Sequence, residues 1–193
     1  MNFPQSNHDR RSTRLKGYDY CQPGGYFITA VTKWRDPLFG EVVNGEMRLN
    51  DLGRIVRECW FEIPTHFQYV EIDSFIIMPN HVHGIIIIQE SIAETGATLD
   101  PVRATHASPQ PSPQPSPQPL PQPRDGPPPR LLGAIIGSFK SSVSKRANRE
   151  LIMRAIWQRN YHDRILRDQA EHERIARYIA ANPVNWEEDD ENL

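Results

Sequence analysis

Between residues 101 and 130 the chain carries twelve of its eighteen prolines, among them the near-repeat SPQPSPQPSPQPLPQP. A proline at every second position fixes φ and removes the backbone donor, so this stretch has no place inside a helix or a sheet. It reads as an extended, solvated, polyproline-like spacer, and residues 92–130 are expected to form a disordered Pro/Gln/Ser-rich linker. The chain is thereby cut into two blocks, neither of which holds a full set of elements. The expected arrangement is one domain over residues 20–186 with an insertion in a surface loop, because loop-closure entropy grows only slowly with length. Residues 1–19 are then a flexible basic arm and residues 187–193 an acidic tail.

At 193 residues the chain is long enough to bury a working core without metal or disulfide staples. Two cysteines make no disulfide framework, the N-terminus lacks an apolar signal segment, and no apolar run approaches the length of a bilayer span. A cytoplasmic protein, with no membrane partner, is the expectation. The net charge of −2 hides a gradient. From Arg130 to Arg167 there are nine Lys/Arg against only Glu150 and Asp163, and Arg10, Arg11, Arg14 and Lys16 add to the basic side. Much of the compensating acid sits at residues 187–191. A basic region with a separate acidic tail suits a polyanion partner, although charge alone fits an ordinary solvated surface equally well.

The elements follow from periodicity and turn chemistry. A β-rich run at 26–32 follows Pro23-Gly24-Gly25, and Asn44-Gly45 between 38–43 and 46–49 marks a hairpin. Asn50 or Asp51 caps a helix with apolar positions Leu52, Ile55, Val56, Cys59 and Ile63, with Pro64 helping to end it. Strands are expected at 70–78 and 81–88, a helix with the stripe Leu132, Ile135, Ile136, Phe139 and Val143, and a strand within 156–166. A last helix starts near Asp168, with Glu171 placed as in a capping box, and stops before Pro183. This order predicts an α+β fold: an antiparallel sheet of ferredoxin-like or RRM-like type with helices mainly on one face.

The segment Met78-Pro79-Asn80-His81-Val82-His83-Gly84 carries the most chemistry. Side chains at i and i+2 of a strand share a face, so His81 and His83 present two imidazoles together while Val82 points to the core. Alone, His-x-His is a weak pattern that also describes two half-buried histidines. Tyr178 and Asn182, four apart near the end of the last helix, share a face as well. The first offers a phenolic nucleophile and the second a carbonyl ligand; core packing and helix capping are the bland readings of the same residues. Tyr161, in Trp157-Gln158-Arg159-Asn160-Tyr161-His162-Asp163, is a rival nucleophile.

Gly25-Tyr26-Phe27-Ile28-Thr29, Leu38-Phe39-Gly40, the Pro-Asn-His-Val-His-Gly string, Gly137-Ser138-Phe139-Lys140-Ser141, Trp157-Gln158-Arg159-Asn160-Tyr161 and Tyr178-Ile179-Ala180-Ala181-Asn182-Pro183 together resemble the HUH-superfamily single-tyrosine transposases, in their REP-associated branch. The resemblance implies a metal-dependent single-stranded DNA transposase or endonuclease. Tyr178 would be the nucleophile, forming a 5′-phosphotyrosine, and His81, His83 and Asn182 would hold Mg²⁺ or Mn²⁺. It also implies hairpin-forming DNA as the partner. Lys140, Lys145, Arg146, Arg149 and Arg159 are the expected backbone contacts. Relatives include monomers and dimers, so a homodimer stays open. The alternative from another class is a non-catalytic single-strand-binding sheet, and a zinc hydrolase ranks last because no His-Glu-x-x-His is present.

Overall fold

The computed structural model describes residues 18–90 and 131–189. The expected linker at 92–130, the basic arm with Arg10 to Lys16 and the end of the acidic tail at 190–193 lie outside the described residues.

In chain order the elements are β1 (Gly24–Val31), β2 (Gly40–Val43), β3 (Glu46–Leu49), α1 (Asp51–Phe61), α2 (Ile63–His66), β4 (Val70–Ile77), β5 (His81–Ile88), α3 (Leu132–Leu151), β6 (His162–Leu166) and α4 (Gln169–Ala181), with single 3-10 turns at Lys33–Arg35 and Trp186–Glu188. Four strands form one sheet in the order β4-β5-β1-β6, every neighbouring pair antiparallel. With β2–β3 set aside as a separate hairpin, β1-α1-β4-β5-α3-β6 is the ferredoxin-like β-α-β-β-α-β unit, and α4 is added to it. The α+β expectation holds.

Local chemistry explains the boundaries. Asn44 and Gly45 take φ of 54° and 76°, the left-handed pair that a two-residue hairpin needs. Asn50 caps α1 by accepting from Gly53 N at 2.9 Å. Pro64 sits in the first turn of α2 instead of merely ending α1, a position where its missing N–H costs nothing. The strand expected within 156–166 narrows to 162–166, preceded by a lone bridge from Trp157 to Thr32. Asp168 caps α4, accepting from Glu171 N at 2.7 Å, while the Glu171 carboxylate accepts from Arg167 N at 3.0 Å.

The sheet has two unlike faces. Tyr26, Ile28, Ala30, Val82, Ile86 and Ile88 point to α1 and α3 and build the main core with Leu52, Val56, Ile135, Ile136, Phe139 and Val143. Gly84 lies on that face, and a Cβ there would strike the Trp60 indole. Trp60 instead stacks on Phe75 at 4.5 Å between centroids and 7° between planes. On the other face Ile85 packs with Ile175 and Ile179 of α4. That smaller contact seats the last helix against the strand that carries the histidines.

Candidate active site

His81 and His83 follow a turn and enter β5 on the α4 side of the sheet, with ring centroids 4.4 Å apart. Both are almost completely buried, an unfavourable place for polar rings unless each nitrogen has a task. Neighbours decide those tasks. Asn80 Nδ2 donates to the Arg35 carbonyl at 3.2 Å, which turns Asn80 Oδ1 toward His81 Nδ1 at 2.9 Å. An amide oxygen can only accept, so His81 carries its proton on Nδ1 and presents the Nε2 lone pair to the site. Thr29, the β1 residue directly opposite His83, lies 2.9 Å from His83 Nδ1, and its hydroxyl can serve either tautomer of that ring.

Tyr178 comes from α4. Its hydroxyl lies 3.3 Å from His83 Nε2, and Phe27 packs against both rings at 5.2 and 6.2 Å. Ile175 and Ile179 turn into the sheet, so Tyr178 is left at the rim, about half exposed. Tyr161 packs against the main core on the other side of the sheet and does not share the site. Asn182, the last residue associated with α4, is buried beside the histidines.

One site residue was not legible in the sequence. Asp189 belongs to the stretch read as an acidic tail, yet the chain turns back through Trp186–Glu188 and brings it in. Its Oδ2 accepts from Asn182 Nδ2 at 2.7 Å and from the Tyr178 hydroxyl at 3.4 Å. Trp186 covers the His81 ring at 5.9 Å. The acidic run around Asp189 carried no signal to separate it from a solvated tail.

The donors fit a divalent cation. One ligand atom each from His81, His83 and Asp189 lie within 4.8 Å of one another. His81 Nε2 and Asn182 Oδ1 are buried with no hydrogen-bond partner among the described residues, although Asn182 bears on the His81 ring. Two orphaned lone pairs beside a carboxylate are costly empty and are what a cation satisfies. Burial pushes the His81 imidazole down to about 4, against the opposing pull of Asp189. Burial and then His81 hold His83 well below the usual imidazole range. Both rings are therefore neutral near pH 7, the form that binds metal.

The basic residues are distributed differently from a single DNA face. Lys140, Lys145, Arg146 and Arg149 lie on α3, which packs on the sheet face away from the histidines. Lys140 Nζ donates to the Gln158 and Asn160 carbonyls at 2.6 and 2.9 Å, and burial lowers it to about 8. Arg146 pairs with Glu58 at 2.6 Å, Glu150 at 3.3 Å and Glu62 at 3.9 Å, and Arg149 with Glu150 at 2.5 Å. Lys145 and Arg159 are exposed.

The fold has counterparts among solved structures. A solved REP-associated tyrosine transposase bound to a REP hairpin matches with a TM-score of 0.54 at 14% identity, covering 90% of this chain and 74% of that one. A putative transposase from Deinococcus radiodurans R1 matches at a TM-score of 0.37 and 16% identity, over 86% of this chain and 95% of that one, too distant to argue from. An uncharacterized protein of Haemophilus influenzae is 41% identical over 182 residues, 94% of this chain and 92% of the relative. The chain belongs to the family of that Haemophilus protein. No family model matches the chain. No helix among the described residues is long and apolar enough to cross a membrane.

Proposed function

We propose that this protein is a metal-dependent single-stranded DNA transposase or endonuclease that cleaves and rejoins strands through Tyr178. The observation that carries the reading is the placement of the Tyr178 hydroxyl 3.3 Å from His83 Nε2, on a fold shared with a transposase that binds a DNA hairpin. His81 and His83 would hold the cation, with Asp189 or Asn182 adding oxygen. When bound, a divalent ion supplies charge stabilisation for the phosphate oxygens.

The chain itself supplies the nucleophile and its orientation. Phe27 and the buried Ile175 and Ile179 fix α4 so that the phenol faces the histidines. With His83 Nε2 given to the cation, Asp189 Oδ2 is the acceptor within reach of the phenolic proton. The phenolate oxygen attacks phosphorus, the P–O3′ bond breaks, and the departing oxygen takes up a proton to become a free 3′-OH. The 5′-phosphate stays esterified to Tyr178, and the reverse attack by another 3′-OH rejoins DNA with no nucleotide cofactor. Tyr178 reaches His83 within one chain, so the chemistry needs no second copy. The exposed cations Lys145, Arg149 and Arg159 meet the DNA backbone, which makes binding weaken with salt, whereas Lys140 and Arg146 are already engaged within the fold.

The test is an incubation of the full chain with Mn²⁺ or Mg²⁺ and a labelled DNA hairpin bearing single-stranded flanks, read on a denaturing gel. A protein-linked band is expected with the wild type and is absent from Tyr178→Phe and His81→Ala. A band that persists in Tyr178→Phe assigns the nucleophile elsewhere, and its absence from every sample supports a purely binding sheet.

A further inference from the structure

We infer that the loop Lys33–Arg35 is a stacking platform for one unpaired base of single-stranded DNA, with Trp34 as the surface and Lys33 and Arg35 as the adjoining phosphate contacts. The inference rests on the DNA reading of the site and adds a ligand contact outside the histidine–tyrosine centre.

Trp34 is 76% exposed, whereas Trp60 is fully buried in the main core. An indole so far in water, held between two basic residues, has the composition of a single-strand contact, where an aromatic face meets a base and cations meet the backbone. The Lys33 ammonium lies 3.9 Å from the Trp34 ring centre, so charge and ring are already brought together. The backbone conformation is unusual. Trp34 and Arg35 both take left-handed φ, 59° and 62°, which bulky residues rarely adopt. Strained backbone of this kind persists only where its surroundings over-determine it.

The surroundings do so. Lys33 N donates to the Ile156 carbonyl at 2.8 Å, Thr32 Oγ1 to the Asp36 carbonyl at 2.8 Å, and Asn80 Nδ2 to the Arg35 carbonyl at 3.2 Å. Asn80 is also the residue that orients His81. Because Val31 pairs with His81 in the sheet, the loop leaves β1 at the end where the histidines stand. A strand whose scissile phosphate lies at Tyr178 thus has an aromatic ring on a loop hydrogen-bonded to Asn80, the residue that sets the His81 tautomer. Asp36, which ends the loop, is its one acidic residue against two basic ones.

The experiment measures binding of the full chain to a fluorescent DNA hairpin with single-stranded flanks, intact and with an abasic site placed at each flanking position in turn. Trp34→Ala is expected to weaken binding of the intact DNA by about 5- to 150-fold, the range for loss of one stacked base, while Trp34→Phe retains most of the affinity. One abasic position should weaken the wild type by a similar factor and leave Trp34→Ala unaffected. Thermal unfolding of the three proteins controls for folding. The platform is overturned if Trp34→Ala matches the wild type in affinity, or if no abasic position couples to it. A Trp34-dependent preference for RNA of the same sequence overturns the DNA assignment. Wild-type protein that binds no DNA removes the functional reading and the platform together; wild-type binding and adduct formation matched by Trp34→Ala removes the platform alone.

Discussion

At the scale of single residues, the site depends on which nitrogen of each imidazole holds a proton and on both rings being uncharged. Burial enforces the second condition, placing His81 at about 4 and His83 well below its ordinary value of 6.5. An unfolded chain exposes both rings, so between about pH 6.5 and pH 4 the unfolded state binds more protons than the folded one. Stability should therefore fall as pH is lowered through this window and be fully present above it. Urea midpoints measured with a chelator present should show that slope, and replacement of both histidines by asparagine should flatten it; equal slopes for the two proteins would contradict the assignment. His81 and His83 were legible in the sequence because a strand's period of two is a local rule. The proton position on His81 was not, since it depends on Asn80, whose amide is turned by the Arg35 carbonyl far away in sequence.

Among the elements, α4 does most to assemble the site, and its start is a local device. Asp168 accepts from Glu171 N, and its replacement by alanine should cost about 1 kcal/mol, within the range for lost N-caps, measured by urea denaturation. Strand β5 is constrained from its other face. Gly84→Ala places a methyl group against Trp60, whose ring is pinned between Phe75 and Phe139, and overpacking of that sort costs about 1–3 kcal/mol. The same denaturation experiment checks it, and an unchanged midpoint would show that the indole can move aside. Caps, the Asn44-Gly45 hairpin and the helical stripes could be read from spacing because each is decided within a few residues. The seating of α4 on the face opposite α1 and α3 could not, since Ile175 and Ile179 make an apolar stripe that fits either side of a sheet.

For the whole molecule, the two blocks divided by the proline-rich stretch make one sheet. β1, β4 and β5 precede residues 91–130 and β6 follows them, pairing with β1 from Gly25↔Leu166 to Thr29↔His162. Replacing residues 96–126 with a short Gly/Ser linker should leave the sheet intact and the melting temperature unchanged, because none of its four strands lies in that stretch. Calorimetry of the shortened chain checks this, and a lower melting temperature would show that the segment contributes packing. Charge pairing is likewise set by the tertiary fold. Arg146, counted among the DNA contacts, is surrounded by Glu58, Glu62 and Glu150, two of them far away in sequence.

The amino-acid order alone determined the succession of strands and helices, the caps and turn, and the shared face of the two histidines, all products of backbone geometry acting over a few residues. Only the tertiary structure decided that Tyr178 rather than Tyr161 meets those histidines, and that Asp189 returns to stand beside them. Those meetings join groups more than ninety residues apart, and they follow from which face of the sheet each element buries, a choice that packing makes and no local period records.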